Sequence, residues 1–137
     1  MARIDEVSVG DRLPESRHET DTVGQFLYNA VLWNAHRIHF DYPYVTETEK
    51  YPGLVVAGPL MGDWLSQCVL EWLADDGRLL RFEYSNRRAA FVGDVLLSRG
   101  EVQDVDRAAR TVTLALEIVN ESGDQLTPGS AVVQFQE

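Results

Sequence analysis

The spacing of apolar residues changes once along this chain, and the change divides it. Met61, Trp64, Leu65, Cys68, Val69, Trp72 and Leu73 recur at steps of three and four. That spacing gathers them on one broad face of a helix. It predicts a helix from about Pro59 to Ala74. Gly58-Pro59 is a suitable start, because the N–H that proline lacks would be unpaired in a first turn anyway. Asp63 lies near the positive end of the helix dipole. Asp75, Asp76 and Gly77 end the pattern. Two tryptophans and a cysteine on the stripe point to a helix wrapped by other structure.

Beyond the helix the period becomes two. Val112, Leu114, Leu116 and Ile118 alternate with Thr111, Thr113, Ala115 and Glu117, the pattern of a half-buried strand. Residues 80–86, 94–105, 111–120 and 131–136 are all rich in β-formers. Gly93-Asp94, Asp106-Arg107 and Ser122-Gly123-Asp124 supply the turns. Connections this short predict antiparallel pairing of successive strands. The fold class is α+β, an antiparallel sheet curled round a long central helix. Residues 1–137 are read as a single domain.

Upstream of the helix the pattern is weaker. Residues 6–13 contain Gly10-Asp11 and read as a strand or turn. Residues 17–22 are polar, and Asp21 or Thr22 can cap a helix. Val23, Phe26, Leu27, Ala30 and Val31 fit a helical face, while Phe26, Tyr28, Ala30 and Leu32 fit a strand. Periodicity admits both; we read a short helix. Pro43, Pro52 and Gly53 make residues 42–58 mostly loop, with a helical turn around residues 46–50. A loop of that length in a small domain is usually functional.

Composition narrows the function classes. The 137 residues are 45% apolar and carry a formal net charge of −10, with a pI near 4.6. That balance argues against general nucleic-acid binding, which relies on a basic footprint. No apolar run is long enough for a membrane span. The first residues, MARIDEVSVGDRLPE, are charged and show no signal-peptide core. Cys68 is the only cysteine, so no intrachain disulfide or cysteine metal cluster is expected, and we read Cys68 as a small core residue. A reduced, cytoplasmic setting is the expectation. Arg78, Arg81, Arg87 and Arg88 concentrate positive charge, which leaves a small anionic ligand open.

The candidate chemistry lies before the helix. Asn34, His36, Arg37, His39 and Asp41 fall within eight positions, and the chain's remaining histidine is His18. Histidine suits proton transfer because its unperturbed pKa is near neutrality. The free N–H groups at the helix start could hold an anion or a developing oxyanion.

Asn34-Ala35-His36-Arg37-Ile38-His39-Phe40-Asp41, followed by Pro52-Gly53-Leu54-Val55-Val56-Ala57-Gly58-Pro59-Leu60, resembles two motifs of the MaoC-like (R)-specific enoyl-CoA hydratases and dehydratases. Within that group it looks most like the mesaconyl-C4-CoA hydratase branch. Phe82-Glu83-Tyr84-Ser85-Asn86-Arg87-Arg88 and Phe91-Val92-Gly93-Asp94 also look like the family's strands after the helix. The resemblance implies a hotdog fold and a hydro-lyase acting reversibly on an enoyl-CoA, with a short or carboxylated acyl chain as one option. It implies His39 as proton carrier, Asn34 holding the water or the imidazole, and the Gly58 N–H as oxyanion donor. His36, Arg37, Asp41, Ala57, Arg87 and Arg88 would line the substrate site, with the last two arginines toward the coenzyme A phosphates.

Plainer roles stay open for several of these. His36 and Arg37 could be surface residues, Asp41 a loop cap, and Arg87 and Arg88 a solvated strand end. No metal and no cofactor beyond the substrate's own coenzyme A are implied. The partner would be a second copy of the chain, in a homodimer or larger homo-oligomer, or a second hotdog chain in a heterodimer.

Two positions depart from the general pattern. Asn34 stands where the wider family has a catalytic aspartate, and an amide cannot take a proton at neutral pH; the mesaconyl branch carries asparagine there too. Ala57 stands where the family has histidine. These departures motivate an alternative, a non-catalytic subunit that binds acyl-CoA beside an active partner. A third reading, a hotdog thioesterase, would use Asp63 or Glu71 on the helix.

Overall fold

A computed structural model describes residues 4–137. Met1, Ala2 and Arg3, which the 1–137 domain assignment includes, lie outside the described residues. The elements are β1 (Ser16–Glu19), α1 (Thr22–Val31), α2 (Gly58–Leu73), β2 (Gly77–Tyr84), β3 (Val95–Asp106), β4 (Thr111–Asn120) and β5 (Gln125–Phe135), with short helical turns at Ile4–Glu6, Arg37–His39 and Tyr44–Thr48.

The central helix starts one residue before the predicted position and ends one before it. Met61, Leu65, Cys68, Val69 and Leu73 are buried as the stripe requires. Trp64 and Trp72 flank the stripe, half-buried. Trp64 stacks on His18 with ring centroids 4.2 Å apart, and Trp72 meets Phe135 edge-on at 5.8 Å. A methyl group on Gly62 would run into the Tyr84 ring, so the close approach of α2 to the end of β2 depends on glycine there. Ala74 takes a left-handed φ of 50° and returns its N–H to the Leu70 carbonyl, which ends the helix.

The sheet has the order β1-β3-β4-β5-β2, with every pairing antiparallel. β3, β4 and β5 form the meander that the turns predicted. β2 does not pair with β3, contrary to the nearest-neighbour expectation. It lies at the far edge against β5, with Gly77 opposite Phe135 and Tyr84 opposite Gly129, and residues 85–94 carry the chain back across. α2 packs against β2, β3, β4 and β5 together. β2 leaves the end of α2 directly and covers one flank of the helix, and the meander covers the rest. β1 was not foreseen, because Ser16-Arg17-His18-Glu19 is short and polar. It is an edge strand with alternate residues half-buried, paired with β3 so that His18 lies opposite Leu96.

α1 is a helix, but its apolar face is not the buried one. Gln25 and Asn29 are 1% and 2% exposed, whereas Val23, Phe26, Leu27 and Val31 are between 57% and 80% exposed. Of the two inward amides, Gln25 meets polar backbone groups beneath the helix that need partners, while Asn29 donates to the Gln25 carbonyl of its own helix at 3.0 Å.

Truncating the fully buried Leu65 should cost about 2–5 kcal/mol of unfolding free energy. Leu70→Ala, on the exposed side of the same helix, should stay within about 0.5 kcal/mol. Urea denaturation of the two variants checks the pair.

Candidate active site

The site is assembled from two backbone segments held side by side. α1 opens at Asp21, whose carboxylate accepts the Gly24 N–H at 2.6 Å, as the capping expectation required. It closes at Trp33, whose φ of 56° is left-handed. Asn34 then donates its N–H to the Asn29 carbonyl at 2.9 Å. Its side-chain oxygen accepts the His36 N–H at 3.1 Å, and His36 Nδ1 accepts the Ile38 N–H at 3.4 Å. These contacts wind the turn that delivers His39.

His39 is buried, 7% exposed. Its Nδ1 lies 2.7 Å from the Val55 carbonyl oxygen. A carbonyl can only accept, so Nδ1 carries the proton and the neutral ring keeps its lone pair on Nε2. Burial pushes the His39 pKa below 6.5; the bond to Val55 opposes that shift and the nearby His36 adds to it. The two rings meet edge to face at 5.7 Å.

The second segment runs into α2. Val55 donates its N–H to Ile38 O at 2.9 Å, Val56 to Ala90 O at 2.8 Å, and Val92 returns one to Leu54 O at 2.9 Å. The run is therefore pinned between the His39 turn and residues 90–92. Ala57 is the fully buried N-cap residue and offers no side-chain cap. The Gly58 N–H is one of the donors that a helix start leaves without a helical partner. A methyl group on Gly58 would overlap the amide nitrogen of Asn86. The Asn86 oxygen accepts the hydroxyl of buried Thr127 at 2.9 Å, so the amide N–H₂ faces the helix start. Glycine is required there by this neighbour, as well as by any approaching ligand.

The structure thus brings His39 and Gly58 onto segments joined through Val55, and sets His36 against His39. It does not set Asn34 against the imidazole: no hydrogen bond joins Asn34 and His39 among the described residues. Arg37 pairs with Asp41 at 2.9 Å and lies 4.2 Å from the centre of the Tyr44 ring. Asp41 accepts the Tyr44 N–H at 3.1 Å, and that bond together with Arg37 holds its carboxyl below the usual range. Asp41 therefore caps the turn that follows. Arg87 and Arg88 are exposed next to Asn86, both backbone N–H groups reach Leu126 O, and Arg88 lies 3.6 Å from Asp124. Arg78 and Arg81 have partners of their own on the sheet, Gln134 and Glu83. Cys68 is a buried free thiol, pushed up to about 11 by burial first.

Two residues in contact with this framework were not singled out from the sequence. Gln25 donates to His39 O at 3.0 Å and to Val55 O at 2.7 Å, and accepts from the Ala57 N–H at 3.0 Å. Asn86 is the other. A signal for Gln25 did exist: Gln25 and Asn29 are two amides one helical turn apart, opposite an apolar face. Asn86 fell within the Phe82–Arg88 run that the resemblance covered, but it was given no role.

His39 should titrate below its ordinary 6.5, with the proton on Nδ1 in the neutral form, as read by nitrogen NMR of the labelled imidazoles. His39 and His18 both have lowered folded pKa values, with burial the largest cause for each. The unfolded chain therefore binds more protons just below pH 6.5. Unfolding free energy should be level above that pH and fall as pH drops toward the folded values.

The family model for hydroxyacyl-thioester dehydratase type 2 (Htd2) matches residues 10–92, more than half of the chain and both site segments. Mesaconyl-C(4)-CoA hydratase of Chloroflexus aurantiacus is 58% identical over 36 residues, 26% of this chain and 13% of that protein. The mitochondrial hydroxyacyl-thioester dehydratase type 2 of Schizosaccharomyces pombe is 37% identical over 76 residues, 52% of this chain and 24% of that protein. The matches span a quarter or less of these two relatives. Among solved structures, an (R)-hydratase from A. caviae involved in PHA biosynthesis superposes with a TM-score of 0.86 at 21% identity, covering 95% of this chain and 98% of that one. One chain of the ChsH1-ChsH2 complex from Mycobacterium tuberculosis gives 0.84 at 15% identity, covering 95% and 99%. These structures establish the hotdog fold, and the family match goes further: the chain belongs to the hydroxyacyl-thioester dehydratase type 2 family.

Proposed function

We propose that the chain catalyses reversible hydration of an enoyl thioester, with His39 carrying the proton and the Gly58 N–H stabilising the thioester oxygen. One observation carries this reading above the others: a buried imidazole has its Nδ1 anchored on the Val55 carbonyl, three residues before Gly58 at the start of α2, and its Nε2 has no hydrogen-bond partner among the described residues.

The chemistry is as follows. Nε2 takes a proton from water as the water oxygen bonds to C3. The C2–C3 π electrons move toward the thioester, and charge gathers on its oxygen. The Gly58 N–H, at the positive end of α2, stabilises that charge. The imidazolium then returns its proton to C2, and dehydration is the reverse. A single histidine can serve both transfers because its charged and neutral forms are close in energy near neutrality. Asn34 acts on this centre through the His36 turn that it holds. Arg87 and Arg88, exposed beside Asn86, are placed to meet an anionic carrier such as coenzyme A, which the substrate brings with it; no further cofactor enters the reaction. A cytoplasmic setting remains our reading of the single free thiol.

A second reading concerns assembly. The outward apolar residues of α1, together with Trp33 at 94% exposure, support a chain that works against another subunit. We take a second copy as that subunit, with a second hotdog chain as the alternative, in which this chain would be the non-catalytic member. The thioesterase reading is disfavoured, because the Asp63 carboxylate already accepts the Tyr28 hydroxyl at 2.6 Å.

The purified chain should hydrate crotonyl-CoA or a mesaconyl-type CoA ester in a spectrophotometric assay, and His39→Ala should lower that rate by about 10²–10⁴-fold. An unchanged rate in His39→Ala would overturn the assignment. Activity that appears only on adding a second hotdog chain would favour the partner-subunit reading.

A further inference from the structure

We infer that Gln25 is a positioning residue that sets the distance and the tautomer on which the proposed hydration depends; the inference rests on reading His39 as the proton carrier and Gly58 as the oxyanion donor.

A glutamine side chain has two N–H donors and one carbonyl acceptor. In Gln25, 1% exposed, both donors and the acceptor are committed. Nε2 reaches His39 O at 3.0 Å and Val55 O at 2.7 Å. Oε1 takes the Ala57 N–H at 3.0 Å. The orientation of the amide is forced, because two carbonyls demand N–H donors and one N–H demands an oxygen.

Those three backbone groups are the ones that matter at this site. His39 O belongs to the residue that carries the imidazole. Val55 O is the acceptor that holds the proton on His39 Nδ1. Ala57 immediately precedes Gly58. One side chain therefore ties the proton carrier, the atom that fixes its tautomer and the approach to the oxyanion donor into a single frame. The segments joined lie 14, 30 and 32 residues from Gln25 in sequence, so no local turn holds them together. Val55 O accepts both the Gln25 N–H and the His39 Nδ1–H, each at 2.7 Å. If the Gln25 bond is lost, the Val55 peptide is held only from its other side, by the Val56 N–H to Ala90 O at 2.8 Å, and the fit of its carbonyl to His39 Nδ1 is no longer fixed by Gln25.

Gln25→Leu keeps the bulk and removes every bond. Gln25→Glu keeps the shape and the acceptor for Ala57 but turns a second oxygen on two carbonyls. If Gln25 positions the site, both variants in the full chain should lower kcat by about 10- to 100-fold while KM for crotonyl-CoA stays within about twofold. Nitrogen NMR of labelled histidine should show the single Nδ1–H form of His39 in the parent chain giving way to a mixture with the Nε2–H form. The inference is overturned if a folded variant keeps the parent kcat and the parent tautomer, or if kcat falls only in proportion to the folded fraction.

Should both variants fail to fold, the parent chain decides. Slow solvent exchange of both Gln25 Nε2 protons supports the bonds, and exchange at the rate of an exposed amide refutes them. The tautomer measurement needs no turnover, so a parent chain without hydratase activity would overturn the functional reading and still allow Gln25 to be judged.

Discussion

Burial of the α2 stripe is the constraint from which most of this structure follows. A helix with Met61, Leu65, Cys68, Val69 and Leu73 on one broad face must be covered along its whole length. The three-strand meander covers part of it. β2 must then lie on the far side of β5, out of sequence order, and the chain must return through residues 85–94. The same burial reaches the start of the helix. Val55, Val56 and Ala57 are buried at that end, and their backbone groups lose water there. Each must find a partner inside the protein, since an unpaired buried polar group costs about 1–3 kcal/mol. Gln25 on α1 supplies partners for two of them, Val55 O and the Ala57 N–H, and reaches His39 O as well. The inverted face of α1 is therefore a consequence of packing at α2.

The electrostatics of the candidate site derive from the same enclosure. Burial drives His39 toward its neutral form, and the Val55 carbonyl decides which nitrogen keeps the proton. The helix start presents donors at the other side of the same segment. Asn86 adds a side-chain donor, oriented by the hydroxyl of buried Thr127. A neutral proton acceptor and a set of fixed donors are what an addition to a conjugated thioester requires. The chain provides them with one ionisable group of tuned charge.

Much of this was legible in the sequence, for identifiable reasons. α2 and β4 were, because each has a single strong period over ten or more residues. The Asn34–Asp41 run drew attention because its polar residues are dense, and the structure sets His36 against His39 and Arg37 against Asp41 within it. β1 was not, because an edge strand need bury only one side, and Ser16-Arg17-His18-Glu19 has no apolar alternation to show. The pairing of β2 was not, because short connections favour neighbours and only the need to cover α2 sends it elsewhere. The buried face of α1 was not, because apolar periodicity names the greasy side of a helix and is silent on which side meets buried backbone. Asn34 shows the limit of motif reasoning: the resemblance singled it out as a partner of the water or the imidazole, while its side-chain oxygen takes the His36 N–H and not the ring.

The placement of the three tryptophans divides them optically. Trp33 stands almost fully in water at the end of α1, so its indole emits at long wavelength. Trp64, stacked on the His18 ring, and Trp72, against Phe135, sit in drier surroundings and emit to the blue. The chain thus contains its own two-colour reporter. The red component follows whatever covers the outer face of α1, and the blue component follows the packing of the central helix.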